Sequence, residues 1–386
     1  MRVPRHIVAW LAVLLMTGAT MGGDVPFPPE MRLEALPMRV PEPADNPSTP
    51  GKIRLGRLLF FDPILSATQT VACATCHHPK FAWADARPTP LGVGATGLGP
   101  ARTLNGSGSA APLMRNVPSL LNVGFNGLVA GMKLDPAASP MFWDSRVQSL
   151  EAQALTPIRS RDEMRGDKCL EPEAVEQALA RLRGLAEYRA LFAAAFGKPA
   201  DAAITAGHLT KAIAAFERML IAANSPFDRF MRGDATTLNA EQQRGLRVFQ
   251  TAGCIQCHGG PMFSDFKLHF IGVTDSTPDG RREFRTPTLR NLRRTAPFMH
   301  NGSQRSLRDV LVFYEALMDA VGETLDGADD SALPRLDPLL KQLNLNAADF
   351  PALEAFLDAL NDDGYEKSEP RNVPSGLPVA GVLRER

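Results

Sequence analysis

Four of the five cysteines in this chain stand in two copies of one short pattern, Cys73-Ala-Thr-Cys76-His77 and Cys254-Ile-Gln-Cys257-His258. Cysteines three positions apart on a turn of helix match the separation of the two vinyl groups of a haem. The histidine that follows is then carried over the iron as proximal ligand. A cysteine pair at this spacing can also bind zinc or exchange disulfides. Here each pair ends in histidine and no other cysteine pair exists to complete a zinc site, so the pattern predicts two covalently bound haem c groups. Cys169, set among charged residues, has no partner left within the chain. A free thiol, a soft haem ligand and an intermolecular bridge are the readings open to it.

Two haems need two apolar surroundings, and 386 residues are enough for two domains, each with its own core. Arg2, Arg5 and His6 precede an apolar stretch at 7–16, followed by small and polar residues to Gly23. That order reads as an export signal cleaved near Gly22 or Gly23, and the stretch is short for a membrane span. The mature protein is expected in the periplasm, without a transmembrane anchor. Lys and Arg balance Asp and Glu at 42 each and no basic run stands out, which excludes nucleic acid as an expected partner.

Helical spacing of apolar residues dominates the remainder. It predicts a helix starting near Ile53, one from Pro172 through Leu191, one holding Leu209, Ile213, Phe216 and Leu220, and one from Asn239 into the second motif. Ser306 with Asp309 reads as a capping box for a helix through Met318, and a last helix spans about 346–360. Only 266–273 alternates as a strand does. The expected fold is mainly α, with two cytochrome c-like haem domains, long loops and little strand. Its divisions are a signal peptide (1–23), a proline-rich lead over the surface (24–50), an N-terminal haem domain (51–230), a C-terminal haem domain (231–365) and a tail (366–386).

What each haem does depends on the sixth position of its iron. A filled position suits electron transfer and an open one suits chemistry. Beyond His77 and His258 the chain has only His6 in the signal, His78 beside a ligand, and His208, His269 and His300. His208, at a helix start, is expected on the surface. At least one haem is therefore expected to lack a second histidine.

Residues around the motifs carry a resemblance. Leu55-Gly56-Arg57, Phe60-Phe61-Asp62-Pro63 and Leu65-Ser66 lead into the first motif. Arg115-Asn116-Val117-Pro118-Ser119, Phe142-Trp143-Asp144-Ser145-Arg146, Leu150-Glu151-Ala152-Gln153-Ala154, Pro157 and Glu163-Met164 follow it. Past the second motif stand Arg285-Thr286-Pro287-Thr288-Leu289-Arg290-Asn291 and Thr295-Ala296-Pro297-Phe298-Met299-His300-Asn301-Gly302. In this order, from about Leu55 to Leu360, they resemble the bacterial di-haem cytochrome c peroxidase and MauG family. The resemblance implies that Glu163 is a distal-pocket glutamate moving a proton between the two peroxide oxygens, a task that needs a base which then acts as acid. It implies that Gln153 and Pro157 line the same pocket and that Trp143 lies between the haems and carries electrons. It also implies an interdomain calcium ion held by Asn116 and the carbonyls of Thr295 and Pro297, oxygen ligands of the kind calcium takes.

The chain departs from the family in two places. A histidine often caps the N-terminal haem in the peroxidases, but the matching stretch here is Leu91-Gly92-Val93-Gly94, with valine in that position. The N-terminal haem is thus expected to be open without prior activation. At the second haem, methionine is common in the peroxidases and tyrosine in MauG-type enzymes. The count from His300 lands on Tyr314, with Met318 one turn further as its rival. The expected function is a peroxidase reducing hydrogen peroxide at the N-terminal haem, fed through the C-terminal haem by a small soluble cytochrome c or cupredoxin. A MauG-like enzyme that oxidises side chains of a partner protein is the alternative, and a plain di-haem electron-transfer cytochrome is the third reading. A homodimer is compatible with the sequence.

Overall fold

The computed structural model describes residues 28–105, 112–273, 282–324 and 336–382; the predicted signal at 1–23 lies outside them. Helices carry the fold. Sheet among the described residues is confined to three two-residue antiparallel ribbons: Ala95–Thr96 with Thr103–Leu104, Pro140–Met141 with Val147–Gln148, and Leu268–His269 with Phe284–Arg285. No helix among these residues is long and apolar enough to cross a membrane.

Both halves follow one plan. In the first, the Pro50–Phe61 helix is capped by Thr49, which accepts from Lys52 N, and it starts with proline. It crosses the Ala206–Glu217 helix. In the second, the Ala240–Thr251 helix opens with a reciprocal Asn239–Gln242 box and crosses the Phe350–Asp358 helix. Glycine stands at each crossing. A Cβ on Gly56 would lie 1.9 Å from the Ala212 carbonyl oxygen, and one on Gly245 1.9 Å from that of Ala352. Without side chains there, the backbones touch.

Each crossing closes over its own aromatic cluster. Phe60, Phe61, Trp83 and Phe216 pack with ring centroids 5.3–6.1 Å apart. Phe227, Phe249, Phe263 and Phe356 pack at 5.1–6.0 Å. Tilted and edge-on ring pairs at this range add to the gain from burial alone.

The ends of the chain exchange sides. The lead read as a surface segment is anchored: Leu33 joins the second core, Leu36 is 1% exposed, and Leu36 N donates to Asp228 Oδ1 at 2.9 Å. At the other end, Tyr365, Val373, Val379 and Ala380 join the first core. Trp83 Nε1 donates to Glu366 O, Ser375 Oγ to Asp62 Oδ1, and Thr75 Oγ1 to Ala380 O, at 2.9, 2.6 and 2.7 Å. Both segments are proline-rich and aperiodic, so their burial leaves no pattern in the sequence.

Two elements differ from expectation. The helix read as continuous from Pro172 to Leu191 breaks at Leu185, which is extended between Ala174–Gly184 and Ala186–Phe196; Gly184 is a weak helix former at that boundary. The strand at 266–273 is reduced to Leu268–His269. The Ser306–Asp309 box is formed, and its helix runs on to Thr324.

Candidate functional site

Both motifs end in a short helical turn, Cys73–Cys76 and Cys254–Gln256. In each, the histidine Nδ1 faces a backbone carbonyl: Trp83 O at 3.1 Å for His77 and Phe263 O at 2.9 Å for His258. A carbonyl can only accept, so a proton on Nδ1 would suit this contact and would leave the Nε2 lone pair for a metal. Burial holds both imidazoles neutral, pulling His77 down to about 4 and His258 in the same direction.

The two motifs open on one continuous cavity of about 800 Å³. Around the first motif its wall includes Gln153, Pro157 and Glu163. Glu163 sits on a single wide turn, Arg161–Arg165. Burial raises the pKa of its carboxyl; Asp162 adds to this, while Arg146 and a Ser160 hydrogen bond oppose it. The loop through Gly92 packs directly on this turn, where a Cβ on Gly92 would meet Asp162 O at 1.9 Å. Buried Arg102 holds that loop, donating to Leu91 O at 2.6 Å and Gly92 O at 2.7 Å. Val93, in the place of the family's capping histidine, is buried in the first core.

Trp143 stands between the halves. Its Nε1 donates to Asn116 O at 2.8 Å, its own carbonyl accepts from Arg285 N, and its ring meets His300 edge-on at 6.4 Å. Asn116 Nδ2 donates to Arg87 O at 2.8 Å and to Pro88 O and Pro297 O at 3.3 Å each. These carbonyls satisfy the amide as it stands. Turned over, the amide would add its own oxygen to an all-oxygen, uncharged set of the kind calcium takes. Thr295 lies on the cavity wall nearby.

At the second motif, Tyr314 lines the cavity with Cys254, Cys257 and His258. Burial first, then Cys257 and Cys254, pushes its phenol up. Both Tyr314 and Met318 pack against the second core, but Met318 is absent from the cavity wall, and its Sδ accepts from Leu345 N at 3.3 Å. Cys169 is half-buried and absent from the cavity wall.

Residues 50–236 match the model of a family described as di-haem cytochrome c peroxidase. The methylamine utilization protein MauG of Methylorubrum extorquens is 33% identical over 350 residues, covering 87% of this chain and 84% of the relative. Cytochrome c551 peroxidase of Pseudomonas aeruginosa is 32% identical over 294 residues, covering 72% and 75%. The chain belongs to the di-haem cytochrome c peroxidase and MauG family. A solved MauG-like protein associated with microbial copper homeostasis superposes with a TM-score of 0.65 at 26% identity, over 89% of this chain and 96% of that one.

As a member of this family the chain is an oxidoreductase that binds two haems. The residues fit that load. Burial pushes the Cys76 and Cys254 thiols up to about 12 and Cys73 higher still, so thiolates are disfavoured at both motifs. Thioether bonds use these sulfurs without charge, which suits thiols buried this deeply. Three cavity residues had no role in the sequence reading. His269 is clamped between Asp265 (3.0 Å) and Asp337 (2.6 Å), chiefly Asp265 raising it to about 11. His300 stacks on Phe284 at 3.6 Å. Glu217 ends a helix that reads as ordinary core. His208 stacks on Phe196 at 4.1 Å, away from the cavity.

Proposed function

We propose that the protein is a periplasmic peroxidase, exported with residues 1–23 removed, that reduces hydrogen peroxide to water in the pocket over His77. Cys73 and Cys76, and Cys254 and Cys257, would hold the two haems by thioether bonds, one in each half of the fold. His77 and His258 are the proximal ligands. Bound there, haem supplies redox-active iron for peroxide cleavage and for passing electrons.

The chain's own residues supply the rest. Glu163 takes a proton from one peroxide oxygen and returns it to the other, a role that suits a carboxyl whose pKa burial has raised. Gln153 and Pro157 orient peroxide and limit its space. Trp143 offers an indole path between the halves for electrons that a small soluble cytochrome c or cupredoxin delivers to the C-terminal haem. Asn116, with the carbonyls of Pro297 and Thr295, holds a calcium ion that ties the halves together around Trp143. The observation that carries this reading is the shared wall: Glu163, Gln153 and Pro157 face the cavity beside Cys73, Cys76 and His77, while Val93 is turned into the core.

One observation favours the MauG-like reading, oxidation of a partner protein's side chains. Tyr314 faces the second motif while the Met318 sulfur is engaged elsewhere. A phenolate ligand lowers the iron potential and favours higher oxidation states, where a thioether raises it. Steady-state peroxide turnover with a reduced small cytochrome, for wild type and Glu163→Gln, separates the readings. Fast turnover that falls about 10²–10⁴-fold in the variant supports the peroxidase. Slow wild-type turnover with a long-lived oxidised state supports the MauG-like enzyme. A wild type inert to peroxide refutes both and leaves electron transfer.

A further inference from the structure

The C-terminal end of the Ala206–Glu217 helix places a second carboxyl at the N-terminal haem pocket. Glu217 is 4% exposed, lines the cavity near Cys73, and its Oε2 has no hydrogen-bond partner among the described residues. A buried carboxylate without a donor is costly, whereas the neutral acid is tolerated. The Leu150–Gln153 helix packs against the Glu217 helix, so Glu217 shares a wall with Gln153.

The charged groups facing Glu217 do not offset its burial. Arg218, next in the chain, favours the carboxylate, but its Nη2 donates to Glu151 Oε2 at 2.9 Å and the two side chains are ion-paired. Glu151 itself opposes ionisation, and burial dominates, raising Glu217 to about 8. Glu163 lines the same cavity, and both carboxyls raise the Cys73 thiol. Glu151 is held in place from its other side: its Oε1 accepts from Asn46 Nδ2 at 2.8 Å, Asn46 Nδ2 also donates to Lys211 O, and Lys211 Nζ pairs with exposed Asp45 at 2.9 Å.

We propose that Glu217 is a proton-holding carboxyl of the N-terminal haem pocket, carrying in one of the protons that peroxide reduction consumes. Its delivery role rests on the peroxidase reading. Peroxide becomes two waters by breaking its O–O bond and taking two electrons, from the donor protein, and two protons, from solvent. Glu163 moves peroxide's own proton between the oxygens. Glu217 gives up one proton from outside and is reprotonated from solvent.

Infrared difference spectra of the haem-loaded protein, oxidised minus reduced, test the first half without peroxide. At neutral pH a protonated-carboxyl C=O band that shifts in D₂O is expected in wild type and in Glu163→Gln, and is expected to vanish in Glu217→Gln. Glu217→Asp should restore it at a changed frequency, which separates loss of the acid from loss of fold. A band that survives in Glu217→Gln, or none in wild type, overturns the proposal. For delivery, wild-type turnover should fall as pH rises through about 8. Glu217→Gln should lose that limb and be slower at neutral pH by about 10²-fold. An unchanged pH profile overturns delivery, whereas a wild type without turnover counts against the peroxidase reading alone.

Discussion

Replacing Gly56 with alanine adds one methyl group at the tightest point of the first half. The new Cβ would stand 1.9 Å from Ala212 O, 2.6 Å from Ala212 C and 3.0 Å from Phe216 Cβ, where real Cβ contacts essentially never fall below 3.0 Å. The Pro50–Phe61 and Ala206–Glu217 helices must therefore part by about 1 Å, and because the obstacle is backbone, no side chain can swing aside. Overpacking of this kind costs about 1–3 kcal/mol, with the upper end apt here. Alanine in place of glycine in a helix returns about 0.5–1 kcal/mol. The net loss is about 2 kcal/mol, a fall in Tm of about 4–8 °C for a domain of this size. Gly207 supplies the control, since it lies in the same Ala206–Glu217 helix with nothing within 4 Å of its would-be Cβ. Gly207→Ala should gain about 0.5–1 kcal/mol. Thermal and denaturant unfolding of the haem-loaded variants, followed by helical circular dichroism, reads both. The shift should also disturb the N-terminal haem spectrum in Gly56→Ala alone, because Ile213 and Glu217 of the moved helix line the cavity. If Gly56→Ala proves neutral or stabilising, as Gly207→Ala should be, the close crossing is refuted.

Two further outcomes follow from the same geometry. Tyr314→Phe should change the low-spin absorption and paramagnetic resonance signals of the C-terminal haem, while Met318→Leu leaves them alone; the reverse result would make Met318 the ligand. Ser375→Ala removes a 2.6 Å hydrogen bond to fully buried Asp62, whose other oxygen accepts from Tyr188 Oη at 2.6 Å. It should destabilise the first core by about 1–3 kcal/mol in denaturant titration, although Ser375 is more than 300 residues from Asp62 along the chain.

The sequence by itself determined what is local or covalent. Each Cys-x-x-Cys-His site is written within five residues, and the caps at Asn239 and Ser306 join side chains to amides three positions on. Helical periodicity marked the crossing helices because the buried stripe recurs along one continuous segment. Family motifs brought Glu163, Gln153, Pro157 and Trp143 to notice, and the structure gathers all four on one cavity wall. Tertiary structure alone decided the exchange of chain ends, the place of Tyr314 over that of Met318 at the cavity, and the lone carboxyl of Glu217. Leu36 is buried, and Ser375 is anchored, by contacts 192 and 313 positions away, which no periodic pattern encodes. Glu217 reads as one more polar residue at a helix end, and only the packing of the folded chain around it buries the side chain and leaves its Oε2 without a hydrogen-bond donor. Burial of a charge is a property of everything around it, so it is settled when the chain closes on itself.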